Sequence, residues 1–208
     1  MALALAVAMR APAAGGADRP MRIVVLGDSL TAGLGLSADQ AFPAKLEQAL
    51  RAKGLAVEVT NAGVSGDTAA SGLARLDWSV PEGTDAVIVE LGANDMLRGI
   101  DPKITRRALE GLVRRLADRR VAVLLAGMRA APNLGPDYGR DFEAIYSELA
   151  GRNDLLLYPF FLDGVAGEAE LNQRDGLHPT AAGVDAIVAR ILPKVEELVS
   201  RVRDKRVT

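Results

Sequence analysis

The sequence predicts a three-layer α/β/α fold around a central parallel sheet of about five strands. Short runs rich in β-branched and aliphatic residues alternate with longer stretches of helical period, which is the pattern of βα repeats with helices on both faces of a sheet. Each short run also hands over to a loop carrying Gly, Asp, Asn or Ser: GDSLTAG, AGVSGDT, GAND, GMRAAPNLGP and the stretch before DGLHPT. In open α/β sheets ligands bind beyond the carboxyl ends of the strands, so these loops are expected to converge on one site.

In chain order the expected strands are 22–26 (RIVVL), 57–61 (VEVTN), 86–91 (AVIVEL), 121–126 (VAVLLA) and 155–157 (LLL). Between them the helical period marks 42–52, 68–77, 103–118 and 138–150, with a last helix over about 180–202. Pro102 suits the first position of the third helix, and Gly151 sits where the fourth would be capped. Thr180 or Pro179 would start the last one. The layering is that of a flavodoxin-like sandwich, and neither a repeat nor a linker interrupts it.

At 208 residues and 49% hydrophobic, the chain is long enough for one domain and its core. Lys+Arg 25 against Asp+Glu 27 gives a formal charge of -2, so nothing in the charge balance favours nucleic acid or an anionic membrane. No run approaches the roughly 18 apolar residues that a membrane span needs. The absence of cysteine removes disulfides and thiolate chemistry, and a single histidine removes metal sites built on several imidazoles.

An apolar run from Ala2 to Met9, followed by small residues to Ala17, reads as a leader over 1–20 that resembles the remnant of a secretory signal, with a disordered leader as the alternative. It makes 21–203 the folded domain and a periplasmic or secreted location the expectation. No Lys or Arg precedes the run, and Arg10 follows it, which keeps a cytoplasmic location as the alternative. The arginine pairs Arg106/Arg107, Arg114/Arg115 and Arg119/Arg120 read as a solvated helical face. Trp78, the one tryptophan, is expected to serve packing.

The chemistry concentrates in four loops. Ser29 lies just past the first strand run between glycines that let backbone amides approach a bound group. A serine hydroxyl attacks at neutral pH only with a base beside it and a third group to orient that base. Here the base can only be His178, and Asp175 stands three residues before it. Acyl transfer also needs donors for the developing oxyanion: the Ser29 amide, the Gly66 amide and the Asn94 side chain are available. Each has a plain alternative, since GDS is an ordinary turn sequence, Gly66 can serve turn geometry, Asn94 can cap a helix and a lone histidine can be structural.

GDSLTAG, AGVSGDT, ELGAND and DGLHPT together resemble the four blocks of the SGNH hydrolase family. The resemblance runs from about residue 22 to 198. It implies a Ser29–His178–Asp175 triad and an oxyanion hole of Ser29, Gly66 and Asn94, with no metal or cofactor. NAGVSGDTAASGLARL, VIVELGANDMLRGI and GMRAAPNLGPDYGRDFEAIY are most similar to the bacterial periplasmic thioesterase, lysophospholipase and arylesterase group. That likeness implies small acyl esters and thioesters as substrates, with the acyl chain against Leu34, Met96, Leu97, Met128, Pro132 and Leu177. Core packing is the competing reading of those six residues. A carbohydrate acetylesterase on the same scaffold is the alternative enzyme, and a non-catalytic flavodoxin-like ligand-binding module the alternative class. GDSLTAGLG matches neither common phosphate-loop pattern, which weighs against the module.

Overall fold

A computed structural model describes residues 19–207, with side chains as far as 205; the leader expected over 1–20 falls almost wholly outside the described residues. One sheet carries β1 (Met21–Gly27), β2 (Val57–Gly63), β3 (Ala86–Glu90), β4 (Ala122–Ala126) and β5 (Leu156–Tyr158) in the order β2-β1-β3-β4-β5. All four pairings are parallel. β3, in the centre, is buried at every position, as expected of a strand covered on both faces, whereas the edge strand β2 exposes Glu58, Thr60 and Asn61.

The strand order dictates the layers. The step from β1 to β2 runs one way across the sheet, and the steps from β2 through β5 run the other way. Right-handed crossovers then place the intervening helices on opposite faces. Accordingly α2 (Phe42–Ala52) packs with the C-terminal helix α8 (Ala181–Val207), while α3 (Ala69–Ala74), α6 (Pro102–Asp118) and α7 (Pro136–Arg152) pack side by side. Phe42, Leu46 and Leu50 line the inward stripe of α2 and are fully buried. Phe42 meets Phe161 edge to face at 5.0 Å, which fastens the β5 loop to that layer.

Three short helices complete the order: α1 (Ser29–Ala32), α4 (Leu76–Ser79) and α5 (Ala93–Leu97). The single helix expected over 68–77 is divided into α3 and α4 at Arg75, whose side chain turns inward to the Gly27 carbonyl at 2.9 Å. Thr68 caps α3 by accepting from Ser71 N. Pro102 takes the first position of α6 as expected, behind Asp101 as cap. Gly151 does not cap α7. Asn153 Nδ2 donates to the Leu149 carbonyl at 2.8 Å and Asp154 takes the left-handed conformation (φ 49°), so the helix runs one residue past the glycine. Thr180 Oγ1 accepts from Gly183 N, and α8 continues past 202 to Val207.

Trp78 does not pack: it is 73% exposed, because Leu76 and Ser79 take the inward positions of α4. In each arginine pair one member finds a partner. Arg106 binds Glu148, Arg115 binds Asp77, and Arg119 donates to the carbonyls of Val80 and Pro81. No helix among the described residues is long and apolar enough to cross a membrane.

The sheet ends level. Gly63, Gly27, Glu90, Ala126 and Tyr158 form one row of paired residues across its carboxyl edge. Gly63 lets this row close against the next turn of chain, since a Cβ there would lie 2.3 Å from Ala32 N and 2.8 Å from the Asp28 carbonyl. Both obstacles are backbone and cannot rotate away. Gly63→Ala is therefore expected to destabilise the fold by roughly 1–3 kcal/mol in urea unfolding; unchanged stability would show that the β2 end is free to move.

Candidate active site

Ser29 lies two residues past the end of β1 and opens α1, 8% exposed at the floor of a depression. Asp28 caps α1, with Oδ1 accepting from Leu30 N at 3.0 Å. The short helix fixes the serine rotor's base on a turn of backbone rather than on a loose loop. Gly27 makes the tight approach possible, because a Cβ there would meet Thr31 Oγ1 at 2.0 Å and Glu90 Oε2 at 2.6 Å.

His178 arrives from the far end of the chain on a loop tied down at both sides. Asn172 and Pro179 form an antiparallel bridge, Gln173 N donates to the His178 carbonyl at 2.7 Å, and Gln173 Nε2 reaches the Leu34 carbonyl at 2.7 Å. The last contact joins the histidine loop to the serine loop. Between Asp175 and His178 the chain turns tightly through Gly176 (φ 71°). Asp175 Oδ1 accepts from the amides of Leu177 at 2.9 Å and His178 at 3.0 Å, and Oδ2 meets His178 Nδ1 at 2.6 Å. Ser29 Oγ lies 2.9 Å from His178 Nε2. Those backbone donations, joined by the imidazole contact, hold the Asp175 carboxyl down to about 2. It is anionic throughout the range in which an imidazole titrates, as an orienting partner must be.

Gly66 and Asn94 reach the same depression from the β2 and β3 loops. Gly66 is the third residue of a turn closed by Asp67 N donating to the Val64 carbonyl at 3.1 Å, and its φ of 86° is the value that favours glycine there. Asn94 lies in the first turn of α5 and gives one Nδ2 hydrogen to Asp28 Oδ2 at 3.0 Å. A primary amide has two such hydrogens, so one remains for an oxyanion. The structure thus brings Ser29, Gly66, Asn94, Asp175 and His178, the five residues singled out in the sequence, to one place.

The six apolar residues expected along an acyl chain also line this depression, whose volume is about 400 Å³. Leu34, Leu97 and Leu177 are about half exposed, whereas Met128 is 3% exposed and belongs equally to the core. Sequence reasoning missed Phe160, Leu162 and Arg129, which form the wall beyond β4 and β5. The signal available for the first two was the Phe-Phe-Leu run one residue past the last strand, behind Pro159. Arg129 sits over the Phe160 ring at 4.9 Å.

Beneath the serine turn lie two buried acids that sequence reasoning also missed. Burial pushes Asp28 up to about 6 against the Leu30 and Asn94 bonds that hold it down. Glu90 is fully buried; Oε2 accepts from Thr31 Oγ1 at 2.8 Å and lies 3.4 Å from Asp28 N, and Oε1 has no hydrogen-bond partner among the described residues. Burial, then the nearby Asp28, raises its pKa well above the glutamate range. A neutral carboxyl there avoids placing a bare charge in the core. No group of three or more metal-ligating side chains occurs among the described residues.

The sequence profile of the GDSL-like Lipase/Acylhydrolase family matches residues 25–186. Esterase TesA of Pseudomonas aeruginosa is 38% identical over 177 residues, covering 85% of this chain and 88% of that protein. Thioesterase 1/protease 1/lysophospholipase L1 of Escherichia coli K12 is 36% identical over 179 residues, covering 86% and 85%. The crystal structure of AlinE4, an SGNH-hydrolase family esterase, superposes with a TM-score of 0.73 at 46% identity, over 86% of this chain and 96% of that one. The chain belongs to the GDSL-like lipase and acylhydrolase family and is a hydrolase of the SGNH esterase type.

The buried glutamic acid has a measurable consequence. A carboxyl whose folded pKa is raised stabilises the fold fully below its unfolded pKa, and that contribution fades as pH rises toward the folded value. Wild-type stability is therefore expected to decline from about pH 4.5 upward, with Asp28 adding to the decline between about 4 and 6. Glu90→Gln, which keeps an acceptor for Thr31, should flatten that decline in urea unfolding between pH 5 and 8; an unchanged slope would mean that Glu90 does not titrate differently on folding.

Proposed function

We propose that this acylhydrolase cleaves acyl esters and acyl thioesters through an acyl-enzyme formed on Ser29, with His178 as general base and acid and Asp175 as its orienting partner. The observation that carries this reading is the unbroken line from Ser29 Oγ through the imidazole to Asp175, 2.9 Å and 2.6 Å, at the floor of an apolar depression. The names of the relatives, an esterase and a thioesterase/lysophospholipase, support both bond types.

In this reading His178 Nε2 takes the Ser29 proton as Oγ attacks the carbonyl carbon. Asp175 stabilises the resulting imidazolium. The oxyanion receives hydrogen bonds from Ser29 N, Gly66 N and the free Asn94 Nδ2 hydrogen, each donor worth on the order of a hundredfold or more in rate. His178 then protonates the leaving alcohol or thiol. A water activated by the same imidazole releases the acid and restores Ser29. The chain's own residues supply every proton transfer.

The depression favours an acyl chain over acetyl alone. An acetyl group fills a small part of about 400 Å³, and the walls offered by Leu34, Met96, Leu97, Pro132 and Leu177 are apolar. Each methylene buried there contributes about 0.8 kcal/mol. Export is the location that the apolar run at 2–9 supports.

Ser29→Ala and His178→Ala are expected to lower kcat by several orders of magnitude, and Asp175→Asn by roughly 10³–10⁴-fold. Steady-state hydrolysis of p-nitrophenyl esters reads all three; a mild loss in any of them removes that residue from its assigned role. Across an acyl series from acetate upward, kcat/KM should peak at medium or long chains, whereas activity confined to acetate would favour the acetylesterase alternative.

A further inference from the structure

Arg75 is among the few charged residues of the core: it is 6% exposed, and its guanidinium is shared between two loops of the site. Nε donates to Asp67 Oδ2 at 2.5 Å, Nη2 to the Gly27 carbonyl at 2.9 Å, and Nη1 to Ser79 Oγ at 2.8 Å. Asp67 is the neighbour of Gly66 and closes its turn, and Gly27 stands two residues before Ser29. The same Gly27 carbonyl also accepts from Val64 N at 3.0 Å, at the start of the Gly66 turn. Both loops are therefore referred to one rigid, planar group held at the junction of α3 and α4.

We propose that Arg75 is the positioning residue of the oxyanion hole, fixing the Gly66 turn against the Ser29 turn. The inference rests on the reading of Ser29 and Gly66 as oxyanion donors given above. Its physical basis is the weak covalent connection between the two turns. They belong to adjacent strands joined through α2, and beyond the last ladder pair, Gly27 with Gly63, one backbone bond continues the pairing, from Val64 N to the same Gly27 carbonyl that Arg75 holds. A preorganised hole works because its donors do not have to move as charge develops, and a misplacement of about 1 Å can cost on the order of a hundredfold in rate. Asp67 neutralises the arginine, which gives a buried charge the partner it needs.

Arginine suits this place and lysine does not. Three acceptors in different directions match a planar fork with five N–H donors, whereas an ammonium is a point donor at the end of a flexible stem. On the outer side Arg98 Nη2 donates to the Gly66 carbonyl at 2.8 Å, a second hold on the turn from an exposed side chain. Arg75 lies outside the lining of the depression. It acts through the two turns.

The test uses the intact chain carrying Arg75→Lys or Asp67→Asn, each normalised to the concentration of active sites by titration with a p-nitrophenyl phosphonate. Both variants are expected to lose about 10–100-fold in kcat with KM changed less than about threefold, because the hole acts on the transition state. Inhibition by an alkyl boronic acid, which forms a tetrahedral adduct on serine with an oxygen in the hole, should weaken by the same factor. Leu50→Ala, in the core of the opposite layer, serves as the stability control: it should lower Tm while leaving kcat per site and boronate affinity unchanged. Normal kcat per site and normal boronate affinity in both Arg75→Lys and Asp67→Asn, with Ser29→Ala inactive, would overturn the positioning role and leave the nucleophile assignment standing. An active Ser29→Ala would overturn the nucleophile assignment instead. If Arg75→Lys does not fold, Asp67→Asn, altered at a partly exposed carboxylate, decides the matter alone.

Discussion

The contact between Ser29 Oγ and His178 Nε2 joins residues 149 apart in the chain, and the architecture is arranged so that it can form. Neither side chain can be brought to the other by local structure. Ser29 is set by the end of β1, and His178 by a loop that must cross the face of the molecule between β5 and α8. The parallel sheet supplies the common reference: its five strands end on one row of paired residues, so every strand-end loop leaves from the same level. A register slip of one residue in β1 would turn Gly27 out of that row and send the serine turn away from the imidazole. The folding free energy of the whole sheet thus stands behind a single hydrogen bond.

Around that contact, polar groups are used at two depths. At the surface, Asp175 remains charged because two backbone amides and the imidazole point at it. In the interior, Asp28, Glu90 and Arg75 are withdrawn from water, and each holds a piece of backbone or a donor of the site. Asp28 binds the Asn94 amide, Glu90 takes the Thr31 hydroxyl, and Arg75 carries the Gly27 carbonyl. Buried polar groups of this kind cost stability unless fully partnered. Glu90 Oε1 has no hydrogen-bond partner among the described residues, so the layer beneath the nucleophile gives up stability for geometry.

The sheet was legible because its signal is periodic and repeated: all five strands fall within a residue or two of their expected positions, and the parallel order follows from alternation with helices. Ser29, Gly66, Asn94, Asp175 and His178 were legible because each sits in a short motif where residue type and chemistry coincide. Arg75 and Glu90 were not. An arginine in a helical run is ordinarily solvated, and a glutamate in a strand carries no mark of its depth; only the tertiary packing reveals that both face inward. The expected 68–77 helix divides at this same Arg75, whose inward guanidinium the helical period does not reveal. Gly151 misled for a different reason: a helix end can be made by Asn and Asp when their side chains and left-handed backbone satisfy the last carbonyls. Trp78 defied expectation because four-residue α4 has only enough inward positions for Leu76 and Ser79.

Activation of one serine by the only histidine is read by labelling the intact chain with a fluorophosphonate and mapping the adduct by mass spectrometry. One adduct per chain is expected, on Ser29, formed rapidly in the wild type and scarcely at all in His178→Ala. An adduct on another residue, or undiminished labelling without His178, would contradict it.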